Sequence, residues 1–264
     1  MHRVYRNFTG TTAAVALSIG FSGVGFIGSA SAADLGRAPA PVYTKAPLLP
    51  PPFTWTGFYV GGHVGGVWDD LSVTDVSGYN VPAGTSFGNN KTGAFGGGTF
   101  GYNFQTGPAV FGVESDLGYM GLGSTTIQPG SPGGDTKSRI HDGVYGDVTG
   151  RLGYGWGQSL IYAKGGWAFY DANVEVFDNC SAAPCGGALN QSNKANFMSG
   201  WTAGAGWEQA LTRDWSVKAE YLHFDFGSQT VQFVAAPDVW RNNLRADSVK
   251  FGFNYRFGGF GGGW

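Results

Sequence analysis

Ser248-Val249-Lys250-Phe251-Gly252-Phe253-Asn254-Tyr255-Arg256-Phe257 sorts its side chains by parity. Val249, Phe251, Phe253, Tyr255 and Phe257 fall on one parity, and Ser248, Lys250, Gly252, Asn254 and Arg256 on the other. A β-strand sends successive side chains to opposite faces, so one face of this run is greasy and the other polar. A soluble sheet buries such a face against a second sheet. A barrel in lipid instead turns it to hydrocarbon and keeps the polar residues inside. Similar runs recur back to Thr54, and the second arrangement fits them better.

The runs predict eight strands, at residues 57–68, 92–104, 109–119, 143–154, 160–176, 197–210, 215–224 and 244–257. Each reaches the roughly 9–11 residues that a tilted strand needs to cross a bilayer. The gaps alternate. Gln105–Pro108, Gly155–Ser159 and Leu211–Asp214 are short, whereas 69–91, 120–142, 177–196 and 225–243 are long and rich in polar residues, Gly and Pro. Membrane barrels pair short periplasmic turns with long extracellular loops. The expectation is therefore an all-β, eight-stranded antiparallel up-and-down transmembrane β-barrel with both mature termini in the periplasm. Where the alternation fails, near Leu222, His223 and Phe224, a bulge or an exit from the membrane is expected.

Only 13% of the residues are charged, against roughly 25% in an average soluble domain. Little is left to solvate an exterior. Residues 1–32 read as a secretory signal peptide: Arg3 and Arg6, an apolar stretch, then Ala30-Ser31-Ala32. Removing two of 16 cations and none of 18 anions leaves 14 against 18, a formal charge of -4. No basic stripe suggests nucleic acid. Residues 33–53 are Pro-rich and aperiodic, the form of an extended linker in which twenty residues reach ~60 Å; 54–257 form the barrel and 258–264 a Gly-rich tail. Cys180 and Cys185 share one polar segment without a companion pair or clustered His, which in an exported chain reads as a loop-closing disulfide rather than a metal site. No cofactor is called for.

Parity places His63, Asn103, Glu114, Asp116, Asp147, Arg151, Lys164, Glu208, Lys218, Glu220, Lys250 and Arg256 inside. Five acids meet five bases there. An interior of eight strands is just wide enough for side chains to fill, so these charges are expected to pair and plug the lumen. Glu208 and Lys218 should lie opposite each other, and the like charges Arg151 and Lys164 should need carboxylates such as Glu114, Asp116 or Glu208. Inward glycines, Gly61, Gly65, Gly204 and Gly206, keep open the alternative of a narrow porin or channel. Catalysis has weak candidates in loops: His223 near Asp225 and Ser228, and His141 near Ser138 and Asp142. Tyr79, Phe87, Trp240, Arg241 and the Cys180–Cys185 loop are candidate surface contacts.

Thr54-Trp55-Thr56-Gly57-Phe58-Tyr59-Val60-Gly61-Gly62, Gly101-Tyr102-Asn103-Phe104, Val217-Lys218-Ala219-Glu220-Tyr221-Leu222 and the run 249–257 resemble the small outer-membrane immunogenic proteins of alphaproteobacteria. The resemblance implies an OmpA-like barrel in the outer membrane, among lipid and lipopolysaccharide. It also implies that Lys250, Gly252, Tyr255 and Phe257 form the signal read by the barrel-assembly machinery, although Gly258–Trp264 follows where the family pattern stops. Some members are implied to attach to peptidoglycan through an amino terminus beginning Ala-Asp; cleavage after Ala32 exposes Ala33-Asp34. The reading favoured is a structural surface barrel that contributes to envelope integrity.

Overall fold

The computed structural model describes residues 52–78, 81–171, 173–178, 191–195, 197–232 and 239–257. Its strands are β1 (Gly57–Asp75), β2 (Ser86–Asn89), β3 (Thr92–Thr106), β4 (Ala109–Met120), β5 (Ser124–Ile127), β6 (Lys137–Ile140), β7 (Gly143–Trp156), β8 (Ser159–Asp171), β9 (Val174–Asp178), β10 (Gln191–Ala195), β11 (Met198–Ala210), β12 (Trp215–Gln232) and β13 (Val239–Phe257). Eight of them, β1, β3, β4, β7, β8, β11, β12 and β13, pair antiparallel in chain order, and β13 returns to β1. The seam is long, running from Phe58 opposite Phe257 to Asp75 opposite Trp240. A closed ring leaves no unpaired edge at membrane depth, which hydrocarbon would not tolerate. The signal peptide, Ala33, Asp34, Cys180, Cys185, Tyr79 and the 258–264 tail lie outside the described residues.

Two of the short connections shrink to two residues, Gly107-Pro108 and Gly157-Gln158. Gly107 (φ 58°) and Gly157 (φ 60°) supply the positive φ that such tight hairpin loops demand. The third turn, 211–214, is organised by Thr212, whose Oγ1 accepts the backbone N–H groups of Asp214 (3.2 Å) and Trp215 (3.0 Å). These three turns mark one mouth of the barrel, the short-turn mouth.

At the other mouth several strands outrun expectation. β1 continues past Trp68 to Asp75, β12 past Phe224 to Gln232, and β13 begins at Val239 rather than Leu244. Of the two alternatives expected at Leu222–Phe224, the bulge lies further on: those residues stay in register with Ser248 and Ala246, and the ladder shifts only between Asp225 and Ser228, beside Gly227 at φ 72°. What changes at Leu222 is polarity, not direction. Inward residues of β12 run Ser216, Lys218, Glu220 and then Leu222, Phe224, Phe226, all buried. The outward ones run Val217, Ala219, Tyr221 and then His223 and Asp225. Below this level grease faces out; above it, grease faces in. Leu160–Val176, expected as one strand, is likewise two: β8 stops at Asp171, and β9 joins β5, β6 and β10 in a separate four-stranded sheet.

Glycine lets the walls close. A Cβ on Gly97 would sit 2.2 Å from the Leu117 carbonyl oxygen, a backbone atom that cannot step aside, whereas one on Gly66 would meet nothing within 4 Å. Gly97→Ala should therefore lower unfolding stability in bilayers by about 1–3 kcal/mol, while Gly66→Ala should stay within about 0.5 kcal/mol. Urea titration of the heat-modifiable form measures both.

Candidate functional site

The barrel interior is stacked in three layers. At the long-loop mouth lies an apolar cluster of Val67, Leu71, Phe95, Met120, Tyr145, Tyr170, Phe224, Phe226, Trp240, Leu244 and their neighbours. Phe87 and Trp240, candidates for surface contacts, belong to it: both are buried, packed edge to face at 5.4 Å. That correction follows from the polarity inversion, since both sit on strands whose inner face is apolar. Arg241 remains exposed.

The middle layer is ionic. Glu114 on β4 accepts Lys164 Nζ (2.6 Å), Lys218 Nζ (3.0 Å), Arg151 Nη1 (3.2 Å) and the Tyr59 hydroxyl (2.8 Å). Arg151 sends Nη2 to Glu208 (2.9 Å) and Nη1 to the Tyr59 oxygen (2.7 Å), and its guanidinium lies 3.8 Å from the centre of the Tyr162 ring. Lys250 binds Asp116 and lies 2.6 Å from Glu220, which also accepts the Tyr162 hydroxyl. Lys164 reaches Asp116 at 3.1 Å and Glu220 at 3.5 Å. From Asp116 the chain of contacts runs up through Thr99 (2.5 Å) and His63 (3.0 Å) to Tyr145.

Arg151 and Lys164 stand opposite each other across the β7–β8 pair. Their repulsion is met by Glu114, which contacts both. Glu208 and Lys218 are likewise opposite in register, yet each turns elsewhere: Glu208 takes Ser216 (2.6 Å), Asn254 (3.0 Å) and Arg151, and Lys218 takes Glu114 and Glu220. Two expected members stand apart. Asp147 is buried opposite Asp116, but neither of its carboxylate oxygens has a hydrogen-bond partner among the described residues. Arg256 forms no ion pair with a carboxylate among the described residues; its Nη2 donates to the carbonyls of Thr212 (3.3 Å) and Arg213 (2.8 Å). The connected network is thus four bases and four acids. Glu114, Asp116 and Glu220 each offer an oxygen within 4.8 Å of the others, the donor set of a metal site, but the ammonium of Lys164 contacts all three.

Tyr59, Thr99, Tyr145 and Tyr162 complete the network and escaped the sequence reading. Their parity was the available signal, since Tyr59 shares a face with His63 and Tyr162 with Lys164, but grouping all aromatics as grease hid it. The third layer, at the short-turn mouth, gathers Trp55, Val110, Leu160, Tyr162 and Ala210, with Phe53 against them. The four inward glycines are all closely approached by neighbouring side chains. A Cβ on Gly61 or Gly65 would strike Asn254 or Phe95, and one on Gly204 or Gly206 would strike Leu222 or Tyr162, each within 3 Å.

On the outer wall, Phe100, Leu117, Leu152, Trp167, Trp201, Trp207 and Phe251 stand exposed in one apolar band. Neither catalytic candidate assembles as its spacing suggested. His223 bonds Asp247 across the strands at 2.8 Å, Asp225 is held by Arg245 at 3.3 Å, and His141 faces Glu175 at 3.5 Å.

The model of the outer membrane protein beta-barrel domain family matches residues 51–257. The chain belongs to this family of outer-membrane β-barrels. It is similar to the 31 kDa outer-membrane immunogenic protein of Brucella melitensis, 31% identical over 240 residues, which cover 88% of this chain and 95% of that one. It is also similar to the 22 kDa outer membrane protein of Rhizobium leguminosarum, 34% identical over 215 residues, covering 81% and 82%. Among solved structures, the outer membrane protein OprG of Pseudomonas aeruginosa superimposes with a TM-score of 0.51 at 11% identity, over 78% of this chain and 99% of that one. That likeness concerns the fold alone. The apolar band accordingly faces the lipid of an outer membrane.

Because Glu114 answers three buried cations, Glu114→Leu should cost about 3–5 kcal/mol in unfolding stability, the usual result of stranding buried charge. Asp147→Asn should cost less than about 1 kcal/mol, since its carboxylate accepts no bond. Denaturant unfolding in vesicles separates the two.

Proposed function

We propose that this outer-membrane barrel is a closed structural element of the envelope that displays its long loops at the cell surface and does not conduct. The reading is carried by one observation: a neutralised ionic layer fills the lumen between two apolar layers. Ions crossing it would have to break paired charges inside a low-dielectric wall. Like other barrels of this type, it is oriented with its tight turns and both mature termini in the periplasm. Lys250, Gly252, Tyr255 and Phe257 on the last strand serve recognition by the barrel-assembly machinery.

The proposal extends to a tether. The family resemblance of Ala33-Asp34 and the reach of the Pro-rich segment support covalent attachment of the mature amino terminus to peptidoglycan. Mass spectrometry after lysozyme digestion should find a stem peptide on Ala33; an unmodified amino terminus throughout would remove the tether and leave the closed barrel untouched. For the lumen itself, planar-bilayer recordings of the refolded mature chain should show no stable current steps. Large, long-lived conductance would overturn the closed reading in favour of a channel.

A further inference from the structure

We propose that the short-turn mouth is an oxyanion-binding site, with Arg256 as its cation and the Trp55 indole as a second donor. Arg256, the penultimate residue of β13, projects inward and is buried. Its guanidinium lies against two rings, 4.6 Å from the centre of Phe53 and 4.7 Å from that of Trp55. The rings themselves meet edge to face at 5.2 Å. Nη2 is committed to the carbonyls of Thr212 and Arg213. Nε and Nη1 are enclosed and have no acceptor among the described residues, and neither has the indole Nε1 of Trp55, whose ring packs against the guanidinium.

A buried guanidinium with idle N–H groups is costly unless something accepts them. The lumenal acid Glu208 is already engaged by Arg151, Ser216 and Asn254 and forms no ion pair with Arg256. The amide oxygen of Asn254, next inward on the same strand, is directed at Gly61 instead, within 2.2 Å of where a Cβ would stand. Neutral acceptors such as water would leave the guanidinium without a direct ion-pair partner. A carboxylate or phosphate oxygen supplies both the acceptor and the charge.

The site is also built in advance of its ligand. Trp55 is locked by its backbone N–H donating to Gln105 Oε1 (2.7 Å), and Gln105 N–H donates in turn to Thr56 Oγ1 (2.9 Å). The indole fits because residue 155 is glycine: a Cβ added there would approach the indole to 3.1 Å. Two aromatic rings set at a right angle to each other lie against the guanidinium and restrict its motion, so that little freedom is lost when an anion docks. The position lies on the lumenal side of the wall, so its ligand comes from solution at that mouth. A free carboxylate, such as a peptide carries, and a free phosphate share the required chemistry.

The test uses the refolded mature chain, labelled with nitrogen-15, in a micelle without phosphate headgroups and in buffer free of oxyanions. Acetate, phosphate and, as an ionic-strength control, chloride are titrated separately. The Trp55 indole signal is the one of nine lost in Trp55→Phe. It and the Arg256 Nε–H signal should shift saturably with acetate, phosphate or both, and not with chloride. Tighter saturation by acetate assigns a carboxylate ligand; tighter saturation by phosphate assigns a phosphate. Arg256→Gln should abolish saturation, and Trp55→Phe, which keeps the stacking ring but lacks the donor, should weaken it several-fold while heat-modifiability is unchanged. Linear drift alike in all three salts would overturn the site in the unaltered protein, whether or not either variant folds. So would undiminished binding in folded Arg256→Gln.

Discussion

A charge placed inside a barrel of eight strands has no bulk water to turn to, and it must find its partners among the other inward side chains. That constraint shapes the middle of this molecule. Glu114 cannot be understood as one half of a salt bridge. It is the acceptor shared by Lys164, Lys218 and Arg151, which arrive from three different strands, so the network pins four strands at one depth. Pairing of this kind is weak evidence for net stability, because desolvation offsets much of the Coulombic gain. It is stronger evidence for a defined closure, since a slipped register would move each of these groups to the lipid side.

The two apolar layers follow from the same requirement. Without them, water at either mouth would compete for the lysines and carboxylates. Above the ionic layer the barrel inverts its polarity: Leu222, Phe224 and Leu244 turn inward while His223, Asp247 and Arg245 turn outward. A chain leaving hydrocarbon for water must do this to stay folded, because its outer face loses the lipid that had solvated its grease. The level of inversion therefore marks where the strands emerge from the membrane, on the evidence of side-chain direction alone.

The inversion also explains which features could be read in the sequence. At membrane depth, polarity and direction coincide, and the eight strands, their order and the inward position of Glu114, Arg151 or Lys250 could be taken from alternation. Beyond Leu222 the rule relating polarity to direction reverses, so the extensions of β1, β12 and β13 read as loops and Trp240 and Phe87 as surface contacts. Tyrosine was opaque for a related reason: Tyr59 and Tyr162 are greasy rings by composition but hydroxyl donors and guanidinium supports by position. Pairing within the lumen could not be read either. Glu208 and Lys218 face each other in register, but side-chain reach across the barrel, rather than register, decided that each bonds elsewhere.

Energetic coupling across the lumen tests this account most directly. A double-mutant cycle on Glu114 and Lys164, residues on strands that do not pair with each other, can be read from the unfolding free energies of Glu114→Gln, Lys164→Met and the double variant in lipid vesicles. The account predicts that the double variant is far less destabilised than the sum of the singles, with an interaction energy of about 1–3 kcal/mol. Additivity within about 0.5 kcal/mol would mean that the inward charges act independently, and would contradict it.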